Sequence, residues 1–397
     1  MKDKPKFIPQ FPAKLPGSFW GITSFFNPLG YKNKYENYRL FRDNTRKQGL
    51  NLLAVELAFD DDPFILQKDM DAEILLQIRG SREKNLMWQK ERLLNVGLSR
   101  LPSDCDKVCW VDCDVIFKND SWIQRTSELL ERYAVVQPFS TVANLEEGEK
   151  DLENAAIERL PWGRREGERI SSFAYSLAML SASDGHQGFA WAIRKGIISK
   201  HLFYDGFLIG GGDTAMASVF SNTFSHYPLL GGIIKKSMRS HFLNWAMGVH
   251  IDTQTSMGYA HGNILHLWHG DRKNRLYDLG HEMSEYFDFD PGNDKKISSS
   301  GLFEWSSAKP DLHRGVREYF EIRNEEGKSS FFTSLLVERF HSSEERLKVS
   351  EERLNAIEMS IAYRIFRKSS KLYQAIVPFK IRLFVHGFLR ENGWSGK

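Results

Sequence analysis

The chain has 397 residues, of which 41% are hydrophobic and 26% are charged, and its formal net charge is +3. This length supports one large domain with appendages, or two domains. The small net charge excludes the overall basic character of a nucleic-acid-binding protein. The three cysteines, Cys105, Cys109 and Cys113, match no zinc or iron–sulfur spacing and offer no disulfide framework, so we expect a structural role for them.

No segment of the sequence is typical of a secretory signal or of a transmembrane helix. The N-terminal residues lack the apolar core of a signal peptide, and no run of about 18 consecutive apolar residues occurs. We therefore expect a cytoplasmic protein, with any membrane contact peripheral at the inner face.

Strand and helix patterns alternate through the first part of the chain. Short runs rich in β-branched and aromatic residues predict strands at 18–26, 50–58, 74–78, 108–111 and 134–138. Helical periodicity predicts helices at 34–48, 81–98 and 119–132. This alternation favours an α/β fold with a mostly parallel, doubly wound central sheet.

The strand predicted at 108–111 ends in two carboxylates one residue apart, Asp112 and Asp114. Ligands of open α/β sheets bind at the carboxyl ends of the strands, and side chains two residues apart in an extended chain share a face. Two acidic groups held together repel each other, and a divalent cation relieves that repulsion. Taken alone, the D-x-D pattern is also typical of an acidic turn. Three later features favour the metal-site interpretation.

Lys90 interrupts the apolar stripe of the helix predicted at 81–98, between Leu86 and Leu93. A buried, unpaired ammonium group is costly. Lys90 therefore either extends out to solvent or meets an anion, such as a nucleotide phosphate, at the edge of the core.

Two glycine-rich turns lie further along the chain. The first, around Gly188, precedes an apolar strand, and the second, Gly210-Gly-Gly-Asp213, precedes a helical stretch. Glycines allow the backbone to approach a ligand closely. Asp213 is either the N-cap of the helix or a catalytic group, and the sequence does not separate the two interpretations.

A basic segment containing histidines follows the second turn. His269 enters a glycine turn just before Arg272 and Lys273, which suit phosphate. The three histidines His261, His266 and His269 offer a zinc site as a less favoured alternative, because strand alternation would place the last two on opposite faces.

The sequence predicts three parts along the chain. An α/β domain covers residues 1–290, a linker and helical segment covers 291–342, and a basic amphipathic helical tail covers 343–397. Residues 140–172 are polar and predict a long surface loop beside the site. The tail either contacts a membrane surface or caps the core.

Three segments, in this order, resemble the metal-dependent GT-A glycosyltransferases: the strand ending in Asp112-Cys-Asp114, the turn Gly210-Gly-Gly-Asp213, and Trp268-His-Gly. The resemblance runs from about Phe19 to Tyr277 and is nearest to bacterial family-2-like enzymes and to the galactosyltransferase C-terminal pattern. It implies a Rossmann-like nucleotide-diphospho-sugar transferase fold with a helical C-terminal extension.

The resemblance implies a site for Mn2+ or Mg2+, formed by Asp114 and His269, that faces the diphosphate of a nucleotide sugar. Asp112 would contact the ribose or share the metal. The other implied donor contacts are Lys90, Arg272 and Lys273 for the phosphates, and Thr23, Glu56 and Asn95 for the base and the ribose.

The resemblance also implies an acceptor side, with Asp213 as the catalytic base that removes a hydroxyl proton during an inverting transfer. The residues implied there are Gly188, Trp191, Gly211 and Gly212. Related enzymes usually have Gly-Gly-Glu-Asp at this turn, and Gly212 stands where their Glu is expected. The implied activity is hexosyl transfer from a nucleotide sugar, a UDP-sugar first among them, to a glycan or lipid-linked acceptor in polysaccharide biosynthesis.

Three other functions stay open at this stage. Paired carboxylates also serve metal-dependent nucleotidyltransferases and phosphohydrolases, of which the former release pyrophosphate. A noncatalytic nucleotide- or glycan-binding protein on the same fold is favoured by the missing Glu at Gly212. A scaffold acting through its tail would not depend on Asp112 and Asp114.

Overall fold

The computed structural model describes residues 12–149, 157–180, 184–224, 236–275, 283–284, 286–323 and 325–327. The thirteen strands of these residues are β1 (Ser18–Phe26), β2 (Asn51–Phe59), β3 (Ile74–Gly80), β4 (Cys105–Val111), β5 (Val115–Phe117), β6 (Val135–Gln137), β7 (Thr141–Asn144), β8 (Arg169–Ser171), β9 (Ala190–Arg194), β10 (Met257–Tyr259), β11 (Asn263–His266), β12 (Lys295–Ile297) and β13 (Phe303–Trp305).

The α-helices are mostly short and lie between these strands. They are α1 (Lys32–Lys47), α2 (Arg82–Asn85), α3 (Lys90–Leu98), α4 (Trp122–Leu130), α5 (Phe173–Tyr175), α6 (Lys195–His201), α7 (Gly212–Phe220), α8 (Lys236–Thr253) and α9 (Pro310–Ile322). Ile157–Arg159 and Arg272–Arg275 form single 3₁₀ turns, and Ser176–Leu180 forms a π turn.

A seven-stranded, mostly parallel sheet lies at the centre of the molecule, in the order β10-β6-β9-β4-β1-β2-β3. β1 pairs in parallel with β2 and β4, whereas β9 runs antiparallel between β4 and β6. The predicted α/β class with a mostly parallel sheet is confirmed. The reversed β9 was not predicted, because a short apolar run does not show its direction.

A second sheet, in the order β5-β11-β7-β8, lies beside the carboxyl end of β4. Two of its strands, β7 and β8, fall in residues 140–172, which were predicted to form one long surface loop. That prediction was wrong at the two ends of the segment, whereas the described residues between the two strands, 145–149 and 157–168, form no strand and are mostly exposed or half-buried. The two strands are only four and three residues long, too short for a periodic sequence signal.

Both faces of the central sheet are buried. On β2, Leu53 and Val55 belong to one apolar cluster, and Leu52 and Ala54 belong to the cluster on the opposite face. This alternation explains the nearly continuous hydrophobic sequence of the strand, which is typical of parallel sheets covered by helices on both sides. The three cysteines are free and buried, and burial raises the pKa of each thiol, as expected for structural residues.

The helix predicted at 81–98 is two helices, α2 and α3, separated by residues 86–89. The side chains of Asn85 and Gln89 both donate to the carbonyl of Phe303, at 2.9 and 2.8 Å, and Gln89 accepts the N–H of Phe303 at 3.0 Å. At the break the side chain of Gln89 also donates to the carbonyl of Asn85 at 3.0 Å, the acceptor that the N–H of Gln89 would use in a continuous helix. As a result Lys90 begins α3 instead of interrupting its middle.

The predicted boundary at residue 290 falls within packed structure. Leu302 and Phe303 of the β12–β13 hairpin, and Leu312 and Val316 of α9, belong to the same apolar cluster as the central sheet. The described part of 291–342 is therefore not a linker. The part of the predicted 291–342 segment beyond residue 327, and the tail at 343–397, lie outside the described residues.

Within the described ranges, no helix is both long enough and apolar enough to cross a membrane.

Replacing Gly97 with alanine tests the packing of α3 on the sheet. A Cβ at Gly97 would lie 2.7 Å from Leu53 Cδ2 and 2.8 Å from Ile22 Cδ1. We expect Gly97→Ala to lower the free energy of unfolding by about 1–3 kcal/mol because of this overpacking. Gly196→Ala is the matched control, since a Cβ there has no neighbour within 4 Å. Urea denaturation measures both, and equal effects would contradict the close packing of α3.

Candidate active site

A cleft of about 420 Å³ opens at the carboxyl ends of β1 and β4. Its walls come from the residues after these strands, from the first turn of α3, from the two glycine turns and from α9. Of the residues predicted from the sequence, those lining the cleft are Lys90, Asp112, Asp114, Gly188, Gly211, Asp213 and His269. Segments far apart in the sequence therefore meet at the edge of the sheet where ligands of α/β proteins bind.

Asp114, His266 and His269 form a compact cluster in this cleft. The Nε2 atoms of the two histidines lie 3.1 Å apart, and Asp114 Oδ2 lies 3.8 Å from His266 Nε2 and 3.4 Å from His269 Nε2. One ligand atom from each residue lies within 4.8 Å of the others. Two imidazoles and one carboxylate are a common donor set for divalent transition metals.

The path of the chain after β11 brings the two histidines together. His266 is the last residue of β11, and the N–H of Leu267 bonds to the carbonyl of Asp114 at 2.9 Å. The chain then leaves the strand and turns at Gly270, whose φ is +90°. The expectation that His266 and His269 lie on opposite faces was wrong, because strand alternation ends at His266. His261 does not belong to the cluster.

The protonation of the cluster suits a cation. Burial lowers the pKa of both histidines well below its ordinary value, so that both rings are neutral at pH 7. His266 Nδ1 lies 2.9 Å from Asn144 Oδ1, which can only accept, so the proton is placed on Nδ1 and the lone pair of Nε2 is directed at the cluster. A neutral imidazole held in this way by a polar partner is typical of a metal ligand.

Asp114 has an unsatisfied oxygen. Its Oδ1 atom is buried and has no hydrogen-bond partner among the described residues. Burial, with the neighbouring Asp112 carboxylate, raises the pKa of Asp114 to about 7. A buried carboxylate oxygen without a partner costs free energy, and a bound divalent cation would offset that cost. The residues present therefore fit a metal ion.

Lys90 lies between two carboxylates from different elements. Its Nζ is 2.6 Å from Asp112 Oδ1 and 2.9 Å from Asp213 Oδ2. Although burial opposes the positive charge, the two carboxylates raise the pKa of Lys90 well above its ordinary value. Asp112, predicted to share the metal or contact the ribose, is bound to Lys90 and is not part of the histidine cluster.

Glycines form the wall of the cleft immediately before α7. Gly211 precedes the helix with φ +91°, a left-handed conformation that favours glycine. Asp213 follows in the first turn of α7 rather than at its N-cap. At Gly212 a Cβ would lie 2.5 Å from Glu91 Oε1, so the Glu91 carboxyl group fills the space beside this turn.

Four predicted residues have structural partners and do not line the cleft. Thr23 donates to the carbonyl of Val111 at 2.8 Å, and Glu56 accepts the N–H groups of the 65–66 backbone. Asn95 donates to the carbonyl of Phe203 and accepts its N–H. The fourth, Trp191, is fully buried and stacks on Trp110. These four side chains are buried against neighbouring strands and loops, which is why they do not reach the cleft.

The predicted phosphate contacts Arg272 and Lys273 have side chains outside the described part of the structure. Other cations line the cleft, Arg164 and Arg323 among them. Two further ones are Lys34, from α1, and Arg275, which follows Arg272 and Lys273 in the chain. Both act electrostatically on the Asp114 carboxylate. Sequence reasoning also missed Glu91 and Asn144 as cleft residues, and it placed His266 only in the less favoured three-histidine site. Glu91 directly follows Lys90 in the sequence, and this position could have indicated a cleft residue.

No protein-family model matches the chain, and no curated protein sequence matches it. Solved structures with some similarity include 4-diphosphocytidyl-2C-methyl-D-erythritol synthase from Anaerococcus prevotii, at 11% identity and a TM-score of 0.28, covering 76% of this chain and 96% of that chain. The catalytic domain of Drosophila β1,4-galactosyltransferase 7 matches at 12% identity and a TM-score of 0.26, covering 52% of this chain and 61% of that chain.

A third similar structure, from Desulfovibrio desulfuricans, is described as a nucleotide-diphospho-sugar transferase. It matches at 10% identity and a TM-score of 0.30, covering 76% of this chain and 96% of that chain. The site described above rests on the chain's own topology and contacts.

The histidine cluster predicts metal binding by the protein alone. We expect wild type to bind Mn2+ at one site in isothermal titration calorimetry, and His266→Ala and His269→Ala each to weaken binding at least about tenfold, because each removes a ligand. His261→Ala is the matched control, since His261 is exposed and lies outside the cluster. Weaker binding in the His261 variant would instead favour the alternative three-histidine site.

Removing Lys90 should destabilise the fold. Lys90→Met leaves the carboxylates of Asp112 and Asp213 without their shared cation, and we expect a loss of about 3 kcal/mol in the free energy of unfolding. Lys200→Met is the matched control. Lys200 is 63% exposed in its pair with Asp252, so its loss should cost less than about 1 kcal/mol. Chemical denaturation at pH 7 measures the difference, and similar losses would show that the Lys90 bridge is not stabilising.

Proposed function

We propose that this protein is a metal-dependent glycosyltransferase of the GT-A type, which moves a sugar from a nucleotide-diphosphate sugar to a hydroxyl acceptor. The observation that supports it most is the Asp114–His266–His269 cluster, whose aspartate has a buried oxygen without a partner. This cluster opens into the same cleft as a second group of carboxylates around Lys90. A metal side and an acid–base side in one cleft suit group transfer between two bound substrates.

The donor diphosphate would bind on the metal side of the cleft. A divalent cation held by Asp114, His266 and His269 would act as a Lewis acid on the diphosphate leaving group. Lys34 and Arg275, which line the same wall, would add positive charge around the phosphates. Mn2+ suits two imidazoles and a carboxylate better than Mg2+ does, since Mg2+ prefers oxygen ligands. We propose a UDP-sugar as the donor.

The acceptor would bind on the opposite side of the cleft, near Gly188 and Asp213. A Cβ at Gly188 would lie 3.7 Å from Asp213 Oδ2, so the glycine leaves open space beside this carboxylate. A carboxylate here would take the proton of the acceptor hydroxyl as the oxygen attacks the sugar carbon. Attack from the side opposite the leaving diphosphate inverts the configuration at that carbon.

Only the resemblance of the sequence to GT-A glycosyltransferases supports the class of acceptor. We propose a glycan or a lipid-linked sugar, as in the biosynthesis of polysaccharides. The proposed membrane contact depends on residues 343–397, which lie outside the described residues.

A donor panel tests the function directly. We expect wild type with Mn2+ to release nucleotide from at least one member of a panel of UDP-, GDP- and CMP-sugars, measured by chromatography; the product is a nucleoside diphosphate from the first two and CMP from the third. Asp114→Ala should lower the rate by about 100-fold or more because it removes a metal ligand and charge stabilisation. Asp252→Ala, which alters a carboxylate paired with Lys200 and His201 outside the cleft, should leave the rate unchanged.

Other outcomes of this panel identify the alternatives. The panel therefore also includes each nucleoside triphosphate with a sugar phosphate, and release of pyrophosphate from that pair would show a nucleotidyltransferase. Nucleotide binding without release from any donor would show a noncatalytic binding protein. Activity that survives Asp114→Ala would contradict the proposed metal site.

A further inference from the structure

Glu91 is a carboxylate of the cleft to which the sequence assigned no role. It follows Lys90 in the first turn of α3, is 5% exposed and lines the cleft. The indole N–H of Trp88 donates to its Oε2 atom at 2.9 Å. Burying an ionised carboxylate costs free energy. Groups that bear this cost at the wall of a cleft are candidates for a functional role.

The Glu91 carboxyl group lies directly beside the first turn of α7. A Cβ on Gly212 would be 2.5 Å from Oε1 and 2.8 Å from Cδ of Glu91. Any larger residue at 212 would therefore displace this carboxyl group. The next residue in the chain is Asp213, so Glu91 shares the acceptor side of the cleft with it.

Asp213 is less suited than Glu91 to receive a proton. Its Oδ2 atom is 2.9 Å from Lys90 Nζ, and the same ammonium group also holds Asp112. Protonation of Asp213 would break one half of this bridge. Glu91 has no salt bridge in the described structure, so its protonation breaks none.

The electrostatic surroundings of Glu91 suit proton exchange near neutral pH. Burial raises the pKa of Glu91 to about 7, and the Asp213 carboxylate also raises it, whereas Lys90 lowers it. Lys295 also interacts electrostatically with Glu91, and burial lowers the pKa of Lys295 to about 8. An acid–base group is most effective when its pKa lies near the working pH.

We propose that Glu91 is the catalytic base of the transfer, while Asp213 is a positioning residue that holds Lys90. This inference rests on the proposed glycosyltransferase function. In the step, the acceptor oxygen forms a bond to the anomeric carbon of the donor, and its hydrogen passes as a proton to Glu91 Oε1. The bond from that carbon to the diphosphate oxygen breaks, and its electron pair leaves on the nucleoside diphosphate. Glu91 then loses the proton to solvent.

The pH dependence of donor hydrolysis tests this assignment without a known acceptor, because water takes the place of the hydroxyl. With the active donor and Mn2+, we expect kcat of wild type to rise through about pH 7 and then level off. Glu91→Gln should lower kcat about 100-fold or more and remove the rise, and Glu91→Asp should restore part of both. Glu83→Gln, at an exposed position on α2, should match wild type.

Two further measurements exclude a simple loss of structure in Glu91→Gln. Its affinity for Mn2+ and nucleoside diphosphate should equal that of wild type, since Glu91 is not in the metal cluster. Its melting temperature at pH 8 should be equal to or higher than that of wild type. The pKa of Glu91 is about 7 in the folded protein, whereas its ordinary value is 4.5, so the ionised carboxylate destabilises the folded state at pH 8.

The outcomes separate this inference from the proposed function. A wild type that releases nucleotide, together with a Glu91→Gln variant that keeps its rate and its pH dependence, would overturn the role of Glu91 and leave the function standing. The role of Glu91 would also be overturned if Asp213→Asn, and not Glu91→Gln, removed the rise of kcat through pH 7. No release by wild type from any donor would overturn both.

Discussion

The ammonium group of Lys90 joins three parts of the chain that are distant in sequence. It contacts Asp112, which follows the central strand β4, and Asp213, which lies in the first turn of α7, while Lys90 itself begins α3. The shape of the cleft depends on this contact, because the end of β4 and the first turns of α3 and α7 are held together by the Lys90 ammonium group. Two half-buried carboxylates this close would repel each other without a cation between them. The bridge thus fixes the Asp213 side of the cleft relative to the sheet, and the Asp114–His266–His269 cluster is fixed separately by the end of β11.

The sequence was informative wherever the signal was local. Apolar runs located the strands, and the acidic residues after β4 were expected at the edge of the sheet, where they line the cleft, because parallel strands end at a common edge. Lys90 was recognised as anomalous because its charge conflicted with an apolar stripe. Its partner was not predictable, since a phosphate and a pair of carboxylates both satisfy an ammonium group.

The missed features depend on contacts between distant residues. The break between α2 and α3 requires the backbone of Phe303, more than 200 positions away. The meeting of His266 and His269 requires β11 to end at His266, and strand ends are the least certain part of any sequence prediction. Thr23 and Glu56 followed the same polar-residue rule as Asp112, yet neighbouring backbone groups satisfy them in the core. A polar residue in a strand predicts a partner, but not whether that partner is a ligand.

The packing of α9 sets the size of the smallest unit that could be expressed with an intact cleft. Tyr319 and Phe320 of this helix line the cleft, and Leu312 and Val316 are buried in the core of the sheet. A recombinant fragment ending near residue 290, where the sequence composition changes, would expose this apolar surface to water and lack one wall of the cleft. Crystallisation or screening of a shortened protein should therefore retain the chain through residue 327, the last one described.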